Sequence, residues 1–408
     1  MGRPGWRDAL PPFRMSVPHL LDPFALDAQP PPASPIRSVY VHAPFCARRC
    51  DYCDYAVTVA RRGDVVAWLA ALAGEVAALA DEGVFVLDCV LDSLYVGGGT
   101  PSLLGPEAMA GLGALLGSDR LEQADLEWTA EANPESFTPE VAQAWREAGV
   151  NRISLGLQSF HEPALAWMGR LHRPTAGVAA VEIVRRAGFE NYSVDLMFGL
   201  PERLERPWRD DLDAVLRMEP PHISLYGLSV EATTPLGRSV AEGKETPASE
   251  SCCAEEYLEA AERLADAGYE HYEVSNFARP GFQALHNSVY WMGLPYLGLG
   301  NGSHSYLHPL RRWNVRDWAE YVRLTRDGRL PMDDEEVLEP ASVRLERVWL
   351  ALRTRRGFSH ESLPIEARDL VRRWVAADLA KCDSGICRLT PLGWLSMDRL
   401  TVDLDGLL

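Results

Sequence analysis

No run of about 18 uninterrupted apolar residues occurs in the chain, so the sequence offers no transmembrane helix. Positive charge is in deficit: 40 Lys and Arg stand against 58 Asp and Glu, for a formal net charge of -18. A surface this anionic repels phosphate backbones, so nucleic acid is not expected as a partner. Cysteine is scarce as well. Eight in 408 residues are too few for a disulfide framework, yet three of them fall within 46–53. That clustering favours metal binding in a reducing compartment and hence a cytoplasmic protein. Cys89, Cys252, Cys253, Cys382 and Cys387 read as ordinary thiols. The start lacks the basic region and apolar run of an export signal. Residues 1–35 instead hold nine prolines without periodicity and read as a flexible leader, with Met15 as a second candidate start.

What is present is enough apolar material, 47% of residues, to bury one enlarged α/β domain and a smaller one. From Arg37 onward, short β-branched or aromatic runs alternate with Ala/Leu/Glu-rich helical stretches. The expected strands are 37–42, 89–96, 125–131, 151–156, 192–197 and 222–228. Between them, Val65, Leu69, Leu72, Val76 and Leu79 recur at helical steps in a helix over 64–82, and Thr138, Pro139 and Glu140 open another over 138–148. Six such units predict a partial (β/α)6 TIM-like barrel over 36–235, with its ligand site at the carboxyl ends of the strands. The pattern then changes to a helix over 251–267 and a Gly/His/aromatic stretch over 281–313. Residues 236–332 read as a barrel extension. Residues 333–408 read as a mainly helical, possibly winged-helix-like accessory domain, with a packing role favoured by the charge.

Cys46, Cys50 and Cys53 follow the first expected strand and present three thiols on one loop. A 4Fe-4S cluster normally takes four cysteines, one per iron, so three leave one iron open. S-adenosylmethionine can chelate such an iron through its amino and carboxylate groups. One electron then breaks a carbon–sulfur bond and yields methionine and a 5′-deoxyadenosyl radical. A zinc knuckle is the competing reading, with His42 as a fourth ligand. Arg48 and Arg49 either favour the thiolates or are solvated loop charges.

These residues, with the runs YVHAPFC over 40–46 and DYCDY over 51–55, resemble the radical SAM superfamily and, within it, the oxygen-independent coproporphyrinogen III oxidase family. The resemblance covers roughly 36–315 and implies a radical-SAM-type barrel, a 4Fe-4S cluster, S-adenosylmethionine and an electron donor for the cluster. It assigns Gly98, Gly99 and Thr100, in the run GGGTP after the second strand, to the methionine end of the cofactor, where glycine lets backbone approach a ligand. A tight turn without ligand is the plain alternative. It places Glu131, Gln158, Arg170 and Asp195 on polar groups of the cofactor, and Tyr40 and Tyr52 beside its adenosyl part. Each polar residue could instead be a strand-end hydrogen bonder, and each tyrosine core filler.

Two branches of that family differ at one position. The oxidase carries a further cysteine two residues beyond the third, where this chain has Tyr55. His286, Asn287, Tyr290 and Trp291 resemble the HNxxYW signature of the family's heme chaperones, which hand heme to an acceptor protein. The resemblance therefore implies heme as cargo, with His286 as its axial ligand, Tyr290 and Trp291 packing the porphyrin, and His304 and His308 in reserve. In the alternative reading the chain oxidatively decarboxylates coproporphyrinogen III to protoporphyrinogen IX; the plain structural reading of the motif is that His286 and Asn287 cap a turn and the aromatics fill the core.

Overall fold

The computed structural model describes residues 35–408; the expected leader and Met15 lie outside them. Six parallel strands form the frame: β1 (Ser38–Ala43), β2 (Ser93–Gly98), β3 (Glu127–Ala132), β4 (Arg152–Gln158), β5 (Asn191–Phe198) and β6 (His222–Gly227). Each has its expected counterpart in the sequence. The second starts at Ser93, later than expected, because Asp92 is held in the preceding loop by Arg37 at 2.8 Å.

The strand register sorts the side chains onto two faces. Because successive residues point to opposite sides, cross-strand partners share a face. Val39 and Val41, Leu94 and Val96, Ala130, Ile153 and Leu155, and Val194 form the outer face and join one core with the surrounding helices. Each large side chain buried there stabilises the fold by about 1.5–3 kcal/mol. The other face carries Tyr40, His42, Tyr95, Glu131, Ser154, Ser193 and His222, so the lumen is polar. A barrel whose interior were only packing would fill it with Val, Ile and Leu. Here the inner face is instead a hydrogen-bonded polar layer, with Ser154 and Ser193 donating to Asp195 and Tyr95 to Glu131.

Helix α1 (Val65–Glu82) shows how the local sequence sets the outer layer. Asp64 accepts the Ala67 amide at 2.9 Å as its N-cap, and Gly83 ends it in the left-handed conformation at φ 75°. Buried Trp68 and Leu72 face the sheet, and the Trp68 indole donates to the His42 carbonyl at 2.9 Å.

The stretch after 235 extends the sheet at both edges. Strands β7 (Glu270–Glu273) and β8 (Asn276–Ala278) form an antiparallel hairpin beside β6. Helix α2 (Leu285–Trp291) follows, and then β9 (Leu297–Leu299) pairs in parallel with β1. Strands β10 (His304–Leu307), β11 (Leu310–Asn314) and β12 (Met332–Val337) make a separate antiparallel sheet, with helix α3 (Trp318–Arg326) between the last two. Since β12 pairs with β11, the extension runs past the boundary expected at 332. The C-terminal part holds helices Pro340–Arg353, Ile365–Ala376 and Met397–Asp405 around a three-stranded sheet and has its own core. Cys382 and Cys387, expected as free thiols, are joined in a disulfide, because the hairpin register sets them opposite each other. Among the described residues, no helix is long and apolar enough to cross a membrane.

Candidate functional site

The three cysteines lie on the loop that leaves β1 and are partly buried. Among the described residues, no three potential ligands converge closely enough for a single metal ion. A cluster asks for something different, since each cysteine binds its own iron at a corner of a cube. His42, the extra ligand a zinc site would need, is engaged elsewhere: its Nε2 donates to the Ala56 carbonyl at 2.9 Å and its Nδ1 accepts from the Tyr40 hydroxyl at 3.1 Å. Burial lowers its pKa to about 4. Burial also pushes the Cys46 thiol up to about 11, so an unliganded Cys46 keeps its proton and must lose it to bind iron.

A hydrogen-bonded chain links two of the thiols across the barrel mouth. Cys46 Sγ lies 3.4 Å from Thr100 Oγ1, which accepts from Asn133 Nδ2 at 3.0 Å. Asn133 Oδ1 accepts from Arg170 at 2.6 Å, and the same guanidinium reaches Cys50 Sγ at 3.8 Å. Arg170 thus sets a buried positive charge beside the Cys50 sulfur. Its Nε is buried without a hydrogen-bond partner, leaving a donor for a further group. Asn133 escaped the sequence reading. The only signal was its place after a strand end and before Pro134. Asn133→Ala should cost about 1–2 kcal/mol by stranding the Arg170 and Thr100 groups, read as a lower denaturant midpoint of the full chain.

The triple glycine is explained by close approach. A side chain at Gly98, which sits at φ 102°, would come within 2.2 Å of the His42 ring, and one at Gly99 within 2.6 Å of the Ala43 carbonyl oxygen. The Gly98 amide donates to Glu131 Oε2 at 3.0 Å, while Tyr95 donates to Oε1 at 2.7 Å. Burial, with Asp195 nearby, raises the Glu131 pKa to about 7. Gln158 ends β4 at φ 66°, a left-handed position uncommon for a residue with a side chain, and a register shift marks the spot. Asp195 lies deeper and accepts from Ser154 at 2.9 Å and Ser193 at 2.8 Å. Tyr52 packs against the small cluster containing Leu165 and Met168. Tyr40 stacks on Tyr95 at 6.1 Å in the lumen. The barrel mouth therefore gathers Gly98, Gly99, Thr100 and Glu131 with the thiols.

The motif at 286–291 is placed differently. His286 is 1% exposed; its Nδ1 is bonded to Ser93 Oγ at 2.9 Å and its Nε2 to the Tyr290 hydroxyl at 2.7 Å. Glu127 accepts the amides of Leu285 and His286, both at 3.0 Å, fixing the start of α2 at the amino ends of β2 and β3. Burial lowers the His286 pKa to about 3, so the ring is neutral, but neither nitrogen is free. Trp291 packs beneath the Arg353 guanidinium at 4.0 Å and ties the C-terminal part to the barrel. Tyr290 faces a cavity of about 390 Å³ that opens beside the cysteine loop, lined also by Tyr40, His42, Tyr55, Tyr296 and His304.

The radical SAM superfamily model matches residues 40–215. A Mycobacterium tuberculosis protein (strain ATCC 25618 / H37Rv) described as heme chaperone HemW is 35% identical over 381 residues, spanning 92% of this chain and 96% of that one. A Lactococcus lactis protein with the same description is 35% identical over 325 residues, spanning 78% and 82%. Among solved structures, coproporphyrinogen III oxidase (HemN) from Escherichia coli superposes with a TM-score of 0.75 at 22% identity, covering 92% of each chain, a likeness of fold. A polar barrel lumen with three thiols at its mouth and this degree of likeness place the chain in the radical SAM superfamily. Within that superfamily it belongs to the HemW family.

Proposed function

We propose that the chain is a heme chaperone that binds heme and passes it to an acceptor protein. The observation that carries this reading is the 35% identity to a HemW heme chaperone over 96% of that protein's length. Tyr55 supports it: where the oxidase branch has a cysteine, this chain sets an aromatic ring, 62% exposed, against the cavity. In the same reading Cys46, Cys50 and Cys53 hold a 4Fe-4S cluster. Gly98, Gly99, Thr100, Glu131, Gln158, Arg170 and Asp195 hold S-adenosylmethionine, with Tyr40 and Tyr52 at its adenosyl end. Bound there, the pair supplies one-electron chemistry at a sulfonium sulfur. The chain's own residues orient and shield: Arg170 balances thiolate charge, Glu131 accepts donors at the mouth, and Gly98 and Gly99, packed against His42 and Ala43, shape the turn that bounds the site. An electron donor for the cluster, a heme-accepting protein and a cytoplasmic setting complete the proposal. The net charge of -18 argues against nucleic acid as a partner.

The test pairs two substrates. Protein reconstituted anaerobically with iron and sulfide is incubated with reductant, S-adenosylmethionine and either heme or coproporphyrinogen III. Stable heme uptake without decarboxylation is expected. Formation of protoporphyrinogen IX would replace the chaperone reading by the oxidase one.

A further inference from the structure

The polar layer inside the barrel contains a series of hydrogen bonds that ends on Asp195. Asp195 accepts from Ser154 Oγ at 2.9 Å and from Ser193 Oγ at 2.8 Å. Ser193 on β5 and His222 on β6 are register partners, and Ser193 Oγ lies 2.9 Å from His222 Nδ1. On the far side of the ring, His222 Nε2 lies 2.8 Å from the hydroxyl of Tyr272 on β7, whose oxygen accepts the Ala284 amide at 3.2 Å. Ser193 and His222 are fully buried, so both find their partners inside the protein.

The series has one consistent direction. A carboxylate only accepts, so the single Ser193 proton belongs to Asp195. The Ser193 oxygen then accepts from His222, which puts the ring proton on Nδ1. Burial, with Arg152 nearby, lowers the His222 pKa well below 6.5, so the ring is neutral and carries that proton alone. Nε2 is therefore bare and accepts from Tyr272. Ala284 has only an N–H to offer, so Tyr272 accepts there and donates to His222, and working from this end gives the same tautomer. Ser224 Oγ, 3.0 Å from Ser193 Oγ, supplies the remaining lone pair of that oxygen.

The direction matters to Asp195. Burial raises its pKa, and the hydroxyls of Ser193, Ser154 and Ser224 oppose that rise, so the charge depends on its donors. A histidine with a bare Nδ1 would compete for the Ser193 proton and take one donor away. With Nδ1 protonated, Ser193 is committed to the carboxylate, which is held in one orientation with lone pairs left for a ligand hydroxyl. We propose that His222 is a positioning residue for S-adenosylmethionine, acting through Ser193, whose proton it directs onto Asp195. This rests on the reading of Asp195 as a cofactor contact and extends that reading to a residue in the layer behind it.

The experiment measures equilibrium binding of radiolabelled S-adenosylmethionine to the full-length, cluster-reconstituted protein without reductant. His222→Asn sets an amide N–H where Nδ1 stands, whereas His222→Gln reaches the place of Nε2 and offers Ser193 nothing. The asparagine variant is expected to bind within about twofold of the unaltered chain and the glutamine variant about tenfold more weakly, each with the cluster absorbance retained. A role in packing alone predicts equal losses, since both variants remove the ring. Ser193→Ala, which leaves the ring in place, should weaken binding as His222→Gln does, and in that background the two His222 variants should no longer differ. Equal affinities of the two variants with Ser193 present, a difference that persists without it, or unchanged binding in Ser193→Ala would each overturn the assignment. Failure of the unaltered, cluster-loaded chain to bind S-adenosylmethionine would instead overturn the cofactor reading itself.

Discussion

Alanine at Cys46, Cys50 or Cys53 is expected to abolish, in each variant separately, the brown absorbance that the unaltered protein develops on anaerobic reconstitution with iron and sulfide. If the three thiols anchor a four-iron cluster as proposed, removing one leaves half the cube without a protein ligand. The described residues offer no replacement nearby: Cys89 lies on an exposed loop, while Cys252 and Cys253 sit on the helix Glu250–Asp266. Cys253 instead packs near Gly199, where an added side chain would meet its sulfur at 2.8 Å. Iron and acid-labile sulfide analysis checks the outcome. Four irons retained in every variant would overturn the ligand assignment, as would zinc in place of iron and sulfide in the unaltered protein.

Glu75→Ala is expected to cost about 3 kcal/mol or more of folding stability, the largest effect foreseen away from the cysteines. Glu75 is 2% exposed and sits where helix α1 meets the turn that carries Gly300 and His304. Its carboxylate accepts the Gly300 amide at 2.8 Å, the Tyr321 hydroxyl at 2.5 Å and the Asn314 side-chain amide. Alanine would strand three buried donors at once, each at about 1–3 kcal/mol. Chemical denaturation of the full chain gives the number.

The same group confers a pH dependence. Burial raises the Glu75 pKa to about 7, above the ordinary 4.5. Between those values the native state holds a proton that the unfolded state has released. The favourable contribution is therefore complete below pH 4.5 and is lost as pH rises through about 7. Stability measured from pH 4.5 to 7 should fall less steeply in Glu75→Gln than in the unaltered protein, and equal slopes would show that the group does not titrate there.

The six parallel strands were legible in the sequence because each is a short apolar run flanked by a helix of clear period. The cysteine loop was legible because spacing on a single loop is a local property. Other features depend on distant partners. Leu297–Leu299 is a three-residue strand inside a glycine-rich run, and only its pairing with β1 makes it one. Asn133 matters through Thr100 and Arg170, neither of which is its sequence neighbour. His286 reads as a ligand from its motif, yet Ser93 and Tyr290 occupy its nitrogens, and no pattern in the sequence reveals that Ser93 lies against it. Cys382 and Cys387 looked like two isolated thiols because their pairing comes from hairpin register. Patterning therefore shows which groups are present, while the fold decides which of them stay free to react.

The pairing of β9 with β1 also bears on the order of assembly. Residues 297–299 leave the ribosome long after 39–41, and such non-local pairings are slow to form. Until they do, the strand that feeds the cysteine loop has one naked edge, and the turn bearing His304 has nowhere to dock. The barrel edge that feeds the cysteine loop is therefore completed only by a segment far downstream in the chain.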